Sequence, residues 1–260
     1  MDVERLRALE RRFRETGAVA DEARWLTERV RVGLTREAAL AFASELGYPA
    51  ARAARGEDAR PPVRNLTDWA RLVGRYEDET ICARSLFAAA RLVGPLVTHA
   101  LPPPRTQRAS ELLALAEELF RVWPTRPPES QRDACRQLFQ AIEALPPSVT
   151  VGLSETTPPA RTSLAPIKAR EVVALALRAA CFTGEGEAAE AARIAEHLTG
   201  EPAFPRTIVV DALDGAHSAL AWAENRPTPS RPHDERLRAA VLEAIVPWLL
   251  SLDHGPSRGV

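Results

Sequence analysis

Asp211, Asp214 and His217 are spaced three residues apart in the stretch DALDGAH. On a helix turning about 100° per residue they fan over roughly a third of the circumference, so two carboxylates and an imidazole can meet one divalent cation. Such a site also needs a further ligand and a group that orients the histidine. His233 and Asp234, on the next helical stretch, are the evident donors. The plainer use of the same residues is a solvated helix face, with Gly215 among them marking close helix packing.

Other chemistries find less support. Ser218 follows His217 directly, and neighbouring helical residues point about 100° apart, so they cannot act as nucleophile and base. VGLSE around Ser154 lacks the second glycine of a nucleophile elbow, and Gly-rich phosphate loops are absent. His99, His197 and His254 lie apart, at expected helix ends or in the tail. Five tryptophans fall on five expected helices beside apolar residues, as core anchors would. Trp25 and Trp69 are the pair to examine as exposed partner-binding positions. No catalytic residue and no cofactor is assigned.

The elements that must carry these residues are helices. Leu237, Ala240, Val241, Ala244, Ile245, Trp248 and Leu249 recur at helical spacing, as do Leu112, Ala116, Leu119, Phe120 and Trp123, and Ala39, Phe42, Ala43 and Leu46. Thr207 to Val210 is the only short strand candidate, and its flanks read as helix. The pattern places helices near 2–15, 20–32, 35–46, 49–55, 66–77, 79–98, 106–122, 129–144, 164–182, 186–199, 206–224 and 234–252. Gly33 reads as the stop of one helix and Thr35 as the N-cap of the next, with Glu37 in its first turn. Gly47 and Pro49 form a second stop and restart.

The expected architecture is therefore all-α, about a dozen helices in antiparallel hairpin pairs, an irregular HEAT- or armadillo-like solenoid or a bundle. Residues 146–163 hold four prolines with several Ser and Thr. They read as a loop or hinge between an N-terminal half, 1–145, and a C-terminal half, 164–260, the whole also fitting one continuous domain.

Composition narrows the function classes. The formal net charge is −1 with no basic tail or stripe, which disfavours nucleic acid as a partner. Lys168 is the only lysine, and the arginines are spread along every segment, as codon bias in a GC-rich genome would leave them. Cys82, Cys135 and Cys181 are widely spaced among apolar residues and read as reduced, buried thiols. The charged N-terminus MDVERLRALERRF carries no signal-peptide core, and no span for a membrane is expected, so a cytoplasmic location follows.

The opening LERRFRETGAVADEARWLTERVRVGLTREAALAFASELGYPAARAA, the later TDWARLVGRYEDETICARSLFAAARL and the closing ERLRAAVLEAIVPWLL resemble a group of multi-paralogue bacterial helical proteins. The similar blocks touch about a third of the chain, and 146–163 departs from the group. The resemblance implies an all-α scaffold, some members being similar to immunity proteins that neutralise a toxin by binding it. Together these readings point to a non-enzymatic protein–protein interaction module, an immunity-type inhibitor or a regulatory scaffold, whose partner is another protein. The alternatives are a metal-dependent enzyme using Asp211, Asp214 and His217, and a HEAT-like nucleic-acid binder.

Overall fold

The computed structural model describes residues 3–57, 65–75, 79–98, 103–122, 129–145, 161–182 and 206–251. Among these residues the chain is all α, with eleven α-helices, one 3-10 helix and no strand. They are α1 (Val3–Thr16), α2 (Val19–Arg31), α3 (Glu37–Glu45), α4 (Pro49–Ala54), α5 (Leu66–Arg75) and α6 (Glu79–Val93). The 3-10 helix Gly94–Thr98 follows, then α7 (Pro103–Val122), α8 (Glu129–Glu143), α9 (Arg161–Phe182), α10 (Arg206–Ala223) and α11 (Arg231–Leu249). Thr207 to Val210 lies within α10. The expected helix at 186–199, and Ser154, His99, His197, His254 and Trp123, lie outside the described residues.

Two compact units divide the chain: Met1–Asn65 together with Leu242–Val260, and Leu66–Val241. The division does not fall at 146–163. The helices α8 and α9 that flank this stretch pack against each other inside the second unit.

In the first unit α2 packs on α1 and α4, and α3 on α4. Ala39, Leu40, Phe42, Ala43 and Leu46 form the buried stripe that their spacing announces. Both expected glycine stops hold. Gly33 at φ 77° and Gly47 at φ 90° take the left-handed conformation that spares glycine a Cβ clash. The turn then closes by Leu34 N–H donating to the Arg29 carbonyl at 2.8 Å and Tyr48 N–H to that of Ala43 at 2.9 Å.

Thr35 departs from expectation. The N-cap of α3 is Arg36, with no side-chain cap, because the Thr35 hydroxyl is used elsewhere. It is buried, donates to the Leu250 carbonyl at 2.9 Å and accepts from Arg29 Nε at 2.9 Å. Arg29 also donates through Nη2 to the carbonyls of Leu34 and Leu250, each at 3.1 Å, and stands 4.7 Å from the Trp25 ring centroid. One guanidinium fork thus fastens the α2–α3 turn to the end of α11 within this unit. Thr35→Val keeps the shape and deletes both hydrogen bonds, so it should lower stability by about 1–3 kcal/mol, read as a drop in the urea midpoint at constant slope.

In the second unit α9 is the central helix, packed against α6, α8 and α10. Ala169, Val172, Val173, Ala176, Leu177, Ala179 and Ala180 bury it nearly all round. α10 crosses it closely at Gly215, where an added Cβ would stand 3.1 Å from Val172 Cγ2, as the sequence reading of Gly215 expects. The expected helix 79–98 changes to 3-10 at Gly94, since Pro95 has no N–H for the next α-helical bond. α11 begins at Arg231 rather than 234, because Pro232 fits a first turn whose N–H groups lack intrahelical partners.

One segment, Thr80–Thr98, is long and apolar enough to cross a membrane by length and composition, against the expectation of none. It is 72% buried among other helices, and packing of α6 against α9 and α10 accounts for its apolar character. Cys82 and Cys135 are buried as expected; the Cys181 side chain is outside the description.

Candidate functional site

Two places in the second unit gather features that a partner or ligand could use: the turn from α10 to α11, and a cleft beside α7. The turn holds the sequence-nominated histidines. His217 projects from α10 and His233 from the first turn of α11, and their rings meet edge to face with centroids 6.4 Å apart. His233 is 1% exposed.

The first turn of α11 fixes the His233 ring. Ser230 precedes the helix, and its backbone N–H donates to His233 Nδ1 at 3.0 Å while its hydroxyl lies 2.9 Å from the same nitrogen. This is the reciprocal half of a capping box, with histidine in the place usually held by Glu or Gln. Because Nδ1 accepts, the proton of the neutral ring sits on Nε2. That nitrogen lies 3.0 Å from a Glu224 carboxylate oxygen, yet off the line of a hydrogen bond, so it is buried without an aligned acceptor. The His217 Nε2 is likewise buried and unmatched.

Charges surround the pair. Asp234 is clamped by Arg238, Nε to Oδ1 at 2.7 Å and Nη2 to Oδ2 at 3.1 Å, and Glu224 lies 3.4 Å from Arg226 and 3.7 Å from Arg236. Burial pushes the His217 pKa below its ordinary value, and the charge of His233 adds to this. Asp234, the Ser230 backbone and Asp214 oppose it without reversing it.

This arrangement does not assemble the metal site considered from the sequence. Asp211 and Asp214 are exposed, and among the described residues no three His, Cys, Asp or Glu side chains gather to hold an ion. His233, the expected further ligand, carries its proton on the very nitrogen that would have to be bare to bind a cation. The sequence brought His217, His233 and Asp234 into consideration for ligation, whereas the fold joins them for packing and capping. The spacing of acids and histidines does not point to Ser230 or Glu224. Ser230, three residues ahead of His233 at a helix start, carried the signal of a capping pair.

The tryptophans separate. Trp69 is 1% exposed and the largest fully buried side chain among the described residues, with the Arg238 guanidinium 5.3 Å from its ring centroid. It is therefore a core anchor, as its apolar neighbours suggest, and of the pair to examine for exposure it offers nothing to a partner. Trp25 is half-buried, stacked on Phe13 at 5.6 Å and faced by Arg29.

The cleft is built by α6, the 3-10 helix and α7. It encloses about 260 Å³ over a floor of Ala90, Leu113, Ala116, Phe120 and Val173, and Arg91 faces Glu117 at 3.4 Å on its rim. α7 packs by a narrow stripe, Ala109, Leu112, Ala116 and Phe120, of which three belong to the expected apolar face. Most of the other described side chains of the helix, including Leu115 at 55% exposure, are open, with Thr106, Leu113 and Leu119 partly covered. Compared with known proteins, the chain matches no family model, no curated protein and no solved structure.

Proposed function

We propose that the chain is a non-enzymatic interaction module that binds another protein through α7 and the cleft beside it. The observation that carries this reading is the lopsided burial of α7, a 20-residue helix that buries one stripe and leaves most of its other described side chains open beside an apolar hollow. Apolar hollows with a charged rim are where partner side chains anchor. Among the nominated polar groups, His233 is engaged with Ser230 and Asp234 with Arg238, in keeping with a role for surface in this reading.

Sequential pairing of α1 with α2, α3 with α4 and α7 with α8 supports a degenerate array of helical hairpins. The resemblance to bacterial helical proteins supports an immunity-type inhibitor, with a regulatory scaffold as the other form of the same idea, in the cytoplasm.

Affinity purification of the tagged protein under a moderate salt wash, followed by mass spectrometry, tests the proposal. A stoichiometric protein companion is expected. Leu113→Glu, which places a charge in the cleft beside Gly94, should reduce its recovery at least tenfold, the cost of about 1.4 kcal/mol or more, with helicity unchanged by circular dichroism. No companion, or one retained equally by the variant, would overturn this assignment. An immunity role further requires protection from one specific toxin.

A further inference from the structure

We propose that the α10–α11 turn is an acid-sensitive latch, in which a proton taken up by the adjoining His217–His233 pair releases the Ser230 amide at the start of α11. The geometry supplies each part. The Ser230 N–H has the Nδ1 lone pair of His233 as its acceptor, at 3.0 Å. A second proton on that ring must go to Nδ1, where it confronts the amide donor and removes the acceptor. The Ser230 hydroxyl, 2.9 Å away, can then accept from Nδ1, so the ring is retained while the backbone amide is set free.

Proton uptake is shared because the rings adjoin at 6.4 Å, and charge on one opposes charge on the other. The groups bearing on His217 are Asp214 on its own helix and His233 and Asp234 on α11. Glu224 in the turn faces His233. The helices packed against α10 carry Asp68 and Arg71 on α5, Arg84 on α6, and Lys168 and Glu171 on α9; Asp68 pairs with Arg71 and Lys168 with Glu171. The half-buried His217 and the buried His233, each with an unmatched Nε2, thus sit among carboxylates that oppose the cost of a charged ring without removing it.

The direction follows from linkage. His217 titrates lower in the fold than in the unfolded chain. Its contribution to stability is therefore complete above about pH 6.5 and is lost as pH falls towards the folded value. Acid thus lowers the stability that His217 contributes.

Hydrogen exchange followed by NMR at about pH 7.5 and 5.5, corrected for intrinsic exchange, is the test. Protection of the Ser230 amide and the first turn of α11 should fall roughly tenfold, one unit of coupling. His233→Gln keeps an acceptor for the amide, as in an ordinary capping box, but does not titrate, so its protection should stay flat. No fall in the native protein, or an equal fall in His233→Gln, overturns the latch. On the unmodified protein, imidazole resonances of His217 and His233 should shift together over the interval in which protection is lost. Rings that stay neutral through that interval would equally overturn it.

Discussion

Trp69→Ala is expected to lower stability by about 3–5 kcal/mol, a large share of the 5–15 kcal/mol typical of a folded domain. Trp69 is 1% exposed on α5, a helix that packs on α10, so its loss opens a cavity that the close-packed surroundings fill only partly. Arg238 loses the ring beneath its guanidinium at the same time. Urea unfolding should show a lower midpoint at an unchanged slope, and Trp69→Phe should recover more than half of the difference. A loss under about 1 kcal/mol would show that the ring is not a core anchor.

Gly215→Leu is the second large effect, expected at about 3 kcal/mol, the upper end for overpacking. Even a bare Cβ would stand 3.1 Å from Val172 Cγ2, and Lys168 Cε is 3.8 Å away, so a longer side chain must push α10 off α9. Gly215→Ala should be nearly neutral, because the helix propensity gained, about 1 kcal/mol, offsets the tight contact. Val172→Ala should partly rescue Gly215→Leu, and the size of that rescue in a double-mutant cycle measures the contact directly. Additive losses would place the strain elsewhere.

How much of this was legible beforehand depends on whether a signal was local. Helical periodicity is local, and the stripes at Ala39–Leu46 and Leu237–Leu249 translated into buried faces. Glycine stops are local too, hence Gly33 and Gly47. Thr35 was misread because its type and position suit an N-cap, and the competitor for its hydroxyl, the Leu250 carbonyl, is 215 residues away. The apolar neighbours of Trp69 mark it as a core anchor, and its burial agrees, although one sequence does not say which side of α5 faces inward. The histidine cluster was half legible. Spacing put His217 and His233 on adjoining helices, but only the hydrogen bond from Ser230 shows which ring nitrogen holds the proton, and that decides between ligation and capping.

The first unit draws on both ends of the chain, Met1–Asn65 and Leu242–Val260. Synthesis delivers these ends far apart in time. At about 5–20 residues per second, α1 to α4 emerge on the order of tens of seconds before the Leu250 carbonyl that Arg29 and Thr35 grip exists. During that interval the second unit, contiguous in sequence, has all its residues available first. Until the segment that carries Leu250 has been made and can pack, the α2–α3 turn lacks the acceptor that Arg29 and Thr35 share.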